Sequence, residues 1–285
     1  TILVVTKSAS VEVFGAGVKP TLGGWAFIKS SGDVSITNSL GGSAVGRGLT
    51  VTTGGAVTVK GDNDAAIKGK ATITAGRNVS IQNETGIAVE GNLIVNSSTG
   101  VTVVGNTTQK NAVRAEANIT SSGAVNISNS QGIAVGGKLT VNNASGTGDV
   151  TVSGKGGNTV GRGAEITSKG AVNITNTDNT GLAVSGDLTV HDSGSVKVSG
   201  GNASAPAVSG DITLTSTGKM ELSNPKGQVT SKKLTVKNST GEVSVTGNKS
   251  DGSALVQGGA SIDTTGAVTI TNSCGPAIFG GLNVG

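Results

Sequence analysis

The sequence repeats itself over most of its length, and this internal similarity limits the possible folds more than any other feature. A motif close to Gly-x-Val-x-Ile-x-Asn begins at residues 32, 76, 123, 170, 218 and 266, with spacings of 44, 47, 47, 48 and 48 residues. Between these copies lies a second, similar motif that ends in Gly, at 57–61, 101–105, 150–154, 196–200 and 243–247. The structural period is therefore half of the longer one, about 22 to 25 residues.

Each half-repeat contains three short apolar pieces separated by Gly, Asn or Ser, which is typical of one turn of a three-faced coil. Apolar and polar residues alternate within a piece, so Val125 and Ile127 are predicted to point inward and Asn126 outward. The sequence therefore predicts an all-β protein, a right-handed single-stranded parallel β-helix of about 11 to 12 coils with three short strands per coil. A left-handed β-helix would show a six-residue apolar repeat, which is absent.

Composition supports this prediction over a conventional domain. The chain has 48 Gly and only 1% aromatic residues, so a core built on Phe, Tyr and Trp is excluded. It is 34% hydrophobic with a net charge of only +4, and this combination argues against disorder. The single cysteine, Cys274, cannot form an internal disulfide.

One corner position, directly after the first strand of each coil, alternates strictly between two residue types. Asn and Gly are the residues that best tolerate a left-handed backbone, so a positive φ is predicted at this corner in every coil. The position is occupied in order by Asn38, Gly61, Asn83, Gly105, Asn129, Gly154, Asn176, Gly200, Asn224, Gly247 and Asn272.

Two regions are predicted, an irregular first coil or cap over residues 1–31 and a β-helix with two-coil repeats of about 47 residues over 32–285. The first region contains Phe14, Trp25 and Phe27, which we expect to terminate the apolar end of the stack. A binding pocket built on Trp25 is the alternative interpretation. Coil length varies mainly in one loop of alternate coils, predicted to line one edge of the rod: residues 62–66, 106–112, 155–159, 201–205 and 248–253.

The sequence favours a function without catalysis, cofactor or metal. Polysaccharide-processing enzymes also use β-helices, but they need carboxylates that converge on one face, and the acidic residues here are dispersed. Asp62 and Asp64 could ligate Ca²⁺, yet no further acidic residue follows at a binding spacing, so a solvated turn is the preferred interpretation. His191, the only histidine, is interpreted as an exposed loop residue.

Charge and hydropathy exclude two further classes of partner. The pI is near 9.2, but Lys and Arg are scattered and lack the interleaved aromatics of a nucleic-acid interface. No apolar span of 18 residues is present, so no membrane insertion is expected.

The two-coil pattern at residues 123–143, Gly-Ala-Val-Asn-Ile-Ser-Asn-Ser-Gln-Gly-Ile-Ala-Val-Gly-Gly-Lys-Leu-Thr-Val-Asn-Asn, resembles the filamentous-haemagglutinin-like exoproteins of two-partner secretion systems. High-molecular-weight adhesins are the nearest type, and the resemblance extends from residue 32 to the end. It implies secretion to the bacterial outer-membrane surface, an outer-membrane two-partner secretion transporter as export partner, and attachment to host cells or matrix protein. No Arg-Gly-Asp receptor motif is present.

High-molecular-weight adhesins are similar in carrying hexoses on the Asn of Asn-x-Ser/Thr sequences, so the resemblance also implies a glycoprotein. The chain offers eleven such positions, about twice the number expected by chance for a sequence this rich in Asn, Ser and Thr. The candidates are Asn78, Asn83, Asn96, Asn106, Asn118, Asn126, Asn143, Asn173, Asn202, Asn238 and Asn248.

Three functions are compatible with these observations. The preferred one is an adhesin segment that binds a host glycan, sialylated structures included, or a matrix protein. The second is a structural stalk of a large exoprotein, either haemagglutinin-like or the carrier of a contact-dependent toxin; a polysaccharide-processing enzyme ranks third. Since aromatic stacking surfaces are scarce, glycan binding is predicted to use polar side chains of the loop edge: Asn106, Gln109, Lys110, Arg114, Lys155, Asn158 and Arg162.

Overall fold

The computed structural model describes residues 2–97, 99–107, 111–249 and 251–285, apart from the side chain of Asn238. It is a right-handed parallel β-helix of about 12 coils, so the fold predicted from the repeat is confirmed. Two long sheets run the length of the rod, and consecutive coils supply neighbouring parallel strands to each. The described residues form no helix, and none is therefore long and apolar enough to cross a bilayer.

The first sheet has 13 strands and the second has 12. The first sheet consists of β1 (Leu3–Ser8), β3 (Ala26–Ser30), β5 (Leu49–Thr53), β7 (Ala71–Ala75), β9 (Leu93–Ser97), β12 (Ala117–Ser121), β15 (Leu139–Asn143), β17 (Ala164–Ser168), β19 (Leu188–Ser193), β21 (Ile212–Ser216), β23 (Leu234–Ser239), β25 (Ala260–Thr264) and β27 (Leu282–Val284). The second consists of β2 (Val11–Gly15), β4 (Val34–Asn38), β6 (Val57–Gly61), β8 (Val79–Asn83), β10 (Val101–Gly105), β13 (Val125–Asn129), β16 (Val150–Gly154), β18 (Ala171–Asn176), β20 (Ser195–Ser199), β22 (Met220–Asn224), β24 (Val243–Gly247) and β26 (Val268–Asn272).

The third face is narrower than predicted. Among the described residues, only β11 (Asn111–Val113) and β14 (Ile133–Val135) pair as strands there. In the other coils a single residue bridges to the next coil, as Val45 does to Ile67. The third face is therefore a column of single inward side chains, and the chain turns sharply on both sides of it.

The core is a stack of aliphatic side chains from all three faces. Ile127 is fully buried, and its register partners Val103 and Val152 lie directly before and after it in the second sheet. Met220 takes the place of a Val in the neighbouring row, next to Val196, and is also buried. Asn126, between two inward residues, is exposed, as the alternation predicts. Burial of many small apolar groups, rather than a few aromatics, drives folding.

The predicted left-handed corner is wrong, because no residue of the alternating Asn and Gly series has a positive φ. Positive φ occurs elsewhere, for example at Asn63 and Gly201. The six asparagines instead end their strands with buried or half-buried amides that hydrogen-bond to backbone groups on both sides of the corner. The alternation therefore reflects side-chain hydrogen bonding and space, not backbone handedness.

Each corner asparagine holds the loop of the preceding coil by hydrogen bonds. That preceding coil always has glycine at its own corner, and we call it a Gly coil. The Asn224 amide donates to the carbonyls of Asn202 (3.4 Å) and Ala205 (3.0 Å) in the loop of the preceding coil. It also donates to the carbonyl of Gln228 (2.7 Å) in its own coil. Its Oδ1 accepts from the Lys226 backbone N–H at 3.1 Å. Asn83 does the same with Asp64 of the preceding loop. Buried backbone groups of an irregular loop thus find partners that a sheet cannot supply.

Glycine occupies the other corners because there is no space for a side chain. A Cβ at Gly61 would lie 2.5 Å from the Cα of Ala66, where the loop returns to the core. At Gly105 it would lie 2.8 Å from the Cα of Ala112. Since real Cβ atoms do not approach backbone so closely, the loop can return over the corner only when the residue there has no side chain.

Residues 2–31 continue the same two sheets. β1 and β2 pair in parallel with the next coil, with a register shift between Val5 and Ser8 and a positive φ at Lys7. Phe14, Trp25 and Phe27 point outward and are exposed, so the expectation that they cover the apolar end is not met. Each sits at an outward position because its inward neighbours fill the core. The role of this region as a cap stays a prediction.

Candidate functional site

The residues predicted to bind glycan do not form one cluster. Asn106, Lys155 and Asn158 lie on the loop edge, whereas Gln109 and Lys110 fall outside the described residues. Asn106 is already engaged, because its amide donates to the Glu84 carbonyl at 2.8 Å and its Oδ1 accepts from the Ser130 hydroxyl at 2.7 Å. The loop edge is thus occupied largely by contacts between coils.

Arg114 and Arg162 lie elsewhere, at the corner between the third face and the first sheet. Each follows a bridging valine of the third face, Val113 or Val160, which separates it from the loop edge. Their coils are two apart, about 10 Å along the rod axis. Both side chains are exposed at this corner. The structure therefore brings these two predicted residues together and separates them from the other three.

Two adjoining depressions follow this corner, and together we call them the corner groove. Their volumes are about 480 and 340 Å³, and Arg162 lines both. Glycines at the corner provide the concavity, because a side chain at Gly137 would lie 2.8 Å from the backbone of the preceding coil. The corner groove is lined by Glu90, Asn92, Arg114, Ala115, Glu116, Gly136, Gly137, Lys138, Arg162, Gly163, Ala164, Glu165, Asp187 and Thr189.

Four carboxylates and three cations line the corner groove, so its charges nearly cancel. Arg114 pairs with Glu90 at 2.7 Å, and Lys138 pairs with Glu165 at 2.8 Å, each across neighbouring coils. Arg162 makes no ion pair within the part of the chain that the structure describes. Its guanidinium, with five N–H donors, is therefore the cation of the groove most available to a ligand.

Glu165 keeps its charge at a lower pH than an ordinary glutamate does. The pKa of Glu165 lies below its usual value, because its carboxylate accepts a hydrogen bond from the Lys138 ammonium and is attracted by that charge. His191, an outward residue of β19 rather than of a loop as predicted, adds a smaller attraction. A ligand would meet fixed donors and acceptors side by side.

The other candidate residues considered for chemistry are held in structural contacts. Asp64 pairs with Lys68 at 2.6 Å, and Asp62 accepts hydrogen bonds from Gly41 (3.1 Å) and Thr85 (3.2 Å). Within the described ranges, no group of three or more His, Cys, Asp or Glu side chains is arranged to hold a metal ion. Cys274 is exposed near the end of the rod.

The candidate glycosylation positions differ in accessibility. The side chain of Asn238 lies outside the described residues. Asn83 and Asn143 are buried, and their amides hydrogen-bond to backbone carbonyls, so the folded rod has no room for a hexose on either. Asn106, Asn173 and Asn202 are half-buried. The exposed candidates are Asn78, Asn96, Asn118, Asn126 and Asn248.

These differences predict the pattern of modification. When the folded chain is treated with an asparagine hexosyltransferase and a nucleotide-activated hexose, peptide mass spectrometry is expected to find sugar on Asn118 and Asn126 but none on Asn83 or Asn143. The urea-unfolded chain, as the control, should lose this discrimination because all four amides are then accessible. Equal modification of Asn83 and Asn126 in the folded chain would contradict the burial.

Comparison with known proteins gives one partial similarity. A stretch of 53 residues, 19% of this chain, is 47% identical to a protein named probable outer membrane protein pmp10 from Chlamydia pneumoniae. The match covers 6% of that protein, so the chain corresponds to a small part of its length. No protein-family model matches the chain, and no solved structure matches it. The similarity is consistent with a location at the cell surface or outside the cell.

Proposed function

We propose that this chain is a rod segment of a secreted bacterial adhesin, displayed at the outer-membrane surface, that attaches to host cells by binding a glycan in the corner groove. The observation that carries the proposal is Arg162, an exposed guanidinium without an ion pair among the described residues, placed between two polar depressions. Such a group donates two parallel hydrogen bonds to a carboxylate, as in a sialic acid, or single bonds to sugar hydroxyls.

The shape and polarity of the groove favour a glycan over a protein receptor. The depressions, about 480 and 340 Å³, suit a few sugar residues, whereas a stable protein interface requires a much larger continuous surface. Arginine and lysine donors alternate with glutamate and aspartate acceptors, matching the hydroxyls of a sugar. A matrix protein is the second receptor class, and an interface with it would extend onto the flat sheet faces.

Binding in this groove would be weak for a single site, because it is open and contains no aromatic ring. Many copies on one cell would compensate through avidity. The proposal includes no chemical step and no cofactor, since Glu90 and Glu165 are held in ion pairs rather than poised against a bond. An outer-membrane transporter of the two-partner type is the proposed export partner, and the resemblance to haemagglutinin-like exoproteins supports it.

The test is a binding measurement with the 285-residue chain multimerised on beads, against a glycan array that includes sialylated structures. Arg162→Ala is expected to weaken binding at least about tenfold, because it removes a charge-assisted hydrogen bond. Arg162→Lys should recover only part of the loss, since an ammonium lacks the planar fork. Arg77→Ala is the matched control, because Arg77 is equally charged and exposed but lies at a different corner.

The outcome also decides between adhesin and stalk. Specific binding that Arg162→Ala leaves unchanged would remove the corner groove as the site. A well-folded chain that binds neither the array nor epithelial cells would favour the stalk, which has its own structural support: parallel pairing continues without a break from β1 to β27 and from β2 to β26. A rod of this kind would hold another domain away from the cell.

A further inference from the structure

The outer face of the first sheet carries a pair of aromatic rings in the second coil. Trp25 and Phe27 have ring centroids 6.3 Å apart and planes only 17° from parallel. Both remain well exposed, at 39% and 41%. The chain has only four aromatic residues in all, one Trp and three Phe, so this concentration is unlike the rest of the rod.

Both rings are held by the neighbouring coils. The indole of Trp25 lies over Gly48 of the next coil, where any side chain would overlap the ring. Phe27 lies between its register partners Val4 and Thr50 on the strands before and after it. The neighbouring strands therefore fix the positions of both rings, and little side-chain entropy is lost when a ligand binds them.

The surroundings of the rings combine apolar side chains, such as Val4 and Val5, with polar ones. A depression of about 190 Å³ lies against Phe27, and three hydroxyl side chains and one ammonium line it: Thr6, Thr50, Thr52 and Lys29. Lys29 follows Phe27 by two residues, so it points from the same face of β3. An apolar platform with adjacent donors and acceptors differs from a hydrophobic contact patch, which is apolar throughout its centre.

We propose that Trp25 and Phe27 form a carbohydrate-binding platform. A pyranose ring would stack one of its C–H faces on the aromatic rings, while its hydroxyls bond to the threonines and Lys29. The depression of about 190 Å³, with its threonine and lysine side chains, favours a small polar ligand over a second copy of the chain, because a stable dimer buries about 800 Å² per partner. Lys29 adds a preference for a carboxylated sugar.

This platform is independent of the corner groove, which begins three coils further along and lies at a corner rather than on a sheet face. The two sites therefore respond to different substitutions. Phe27→Ala is expected to leave binding through Arg162 unchanged, and Arg162→Ala to leave the platform unchanged.

Trp25 makes the experiment direct, since the chain contains no other tryptophan and no tyrosine. Intrinsic fluorescence of the whole chain is titrated with lactose, chitotriose and 3′-sialyllactose. At least one sugar is expected to change Trp25 emission with saturation, and Phe27→Ala to weaken that binding about tenfold. Phe14→Ala is the matched control, because Phe14 is an exposed phenylalanine on the second sheet.

Three results would overturn the proposal. One is the absence of saturable change with all three sugars. Another is a titration that Phe27→Ala leaves unaltered, which would place the sugar away from the rings. The third is a blue shift of Trp25 emission with phosphatidylcholine vesicles and none with the sugars, which would assign the patch to a lipid surface. If Lys29→Ala weakens sialyllactose but not lactose, the assigned role of the ammonium is supported.

Discussion

Asn224→Ala is expected to lower the free energy of unfolding by about 3 kcal/mol, a large effect for the loss of one amide. The substitution removes the donor for three carbonyls, those of Asn202, Ala205 and Gln228, and the acceptor for the Lys226 N–H. Asn224 is fully buried, so water cannot replace these bonds without opening the corner. Denaturant unfolding measures the change.

Asn126→Ala provides the control, because Asn126 belongs to the same kind of repeat but points to solvent from β13. Its change is expected to stay within about 0.5 kcal/mol. Each coil contacts only its neighbours, so hydrogen exchange in Asn224→Ala should rise mainly around residues 200–230 and leave distant coils protected. Equal effects of the two substitutions would refute the clamp.

Gly76→Ala is expected to destabilise the rod by about 2 to 3 kcal/mol, the range typical of overpacking. Gly76 lies at the corner between β7 and β8, where its N–H donates to the Thr53 carbonyl at 2.9 Å. A Cβ there would overlap the carbonyl oxygen of Gly54 and lie 2.9 Å from the carbonyl carbon. Backbone atoms of the preceding coil cannot rotate away, so the coils must separate locally. A lowered thermal midpoint reports the loss.

Gly17→Ala is the matched substitution, because a Cβ at Gly17 meets no atom within 4 Å. It is expected to be neutral or to stabilise slightly, since alanine restricts the unfolded chain more than glycine does. If Gly76→Ala and Gly17→Ala melt at the same temperature, then contact between the corners of successive coils does not limit how closely the coils can stack.

The fold was predictable because the repeat and the alternation within strands are both local signals. Val125 and Ile127 point inward and Asn126 outward, and the spacing of the copies gives the coil length. The narrow third face was not predictable in the same way. A single inward residue such as Val45 gives no alternation to detect, so the sequence shows only an apolar piece.

The corner alternation was visible in the sequence, but its cause was not. Asn tolerates a positive φ and also hydrogen-bonds to nearby backbone, and residue type alone does not separate these properties. In the structure, hydrogen bonding and not a positive φ explains Asn38 and Asn176, because their amides donate to carbonyls of the preceding coil. The sequence did contain a signal for the hydrogen-bonding role, because every coil with Asn at its corner follows a coil with a variable loop.

The placement of the candidate binding residues was predicted only in part. Arg114 and Arg162 follow variable loops closely in sequence, and this proximity suggested a common edge with Asn106. The chain crosses the third face in so few residues that the arginines emerge on its far side. The aromatic platform depends on the orientation of the Trp25 and Phe27 rings, which follows from Gly48 one coil away and not from the local sequence.

The alternation of Asn and Gly corners also sets a unit of growth for the rod. Because each Asn corner holds the loop of the Gly coil before it, recombination that inserts or deletes one coil would place two like corners in succession. Two Gly coils in a row would leave one loop without its clamp. Insertion of a coil pair keeps every loop held. Homologous rods are therefore expected to differ in length by steps of about 10 Å, and single-coil variants to be removed by selection.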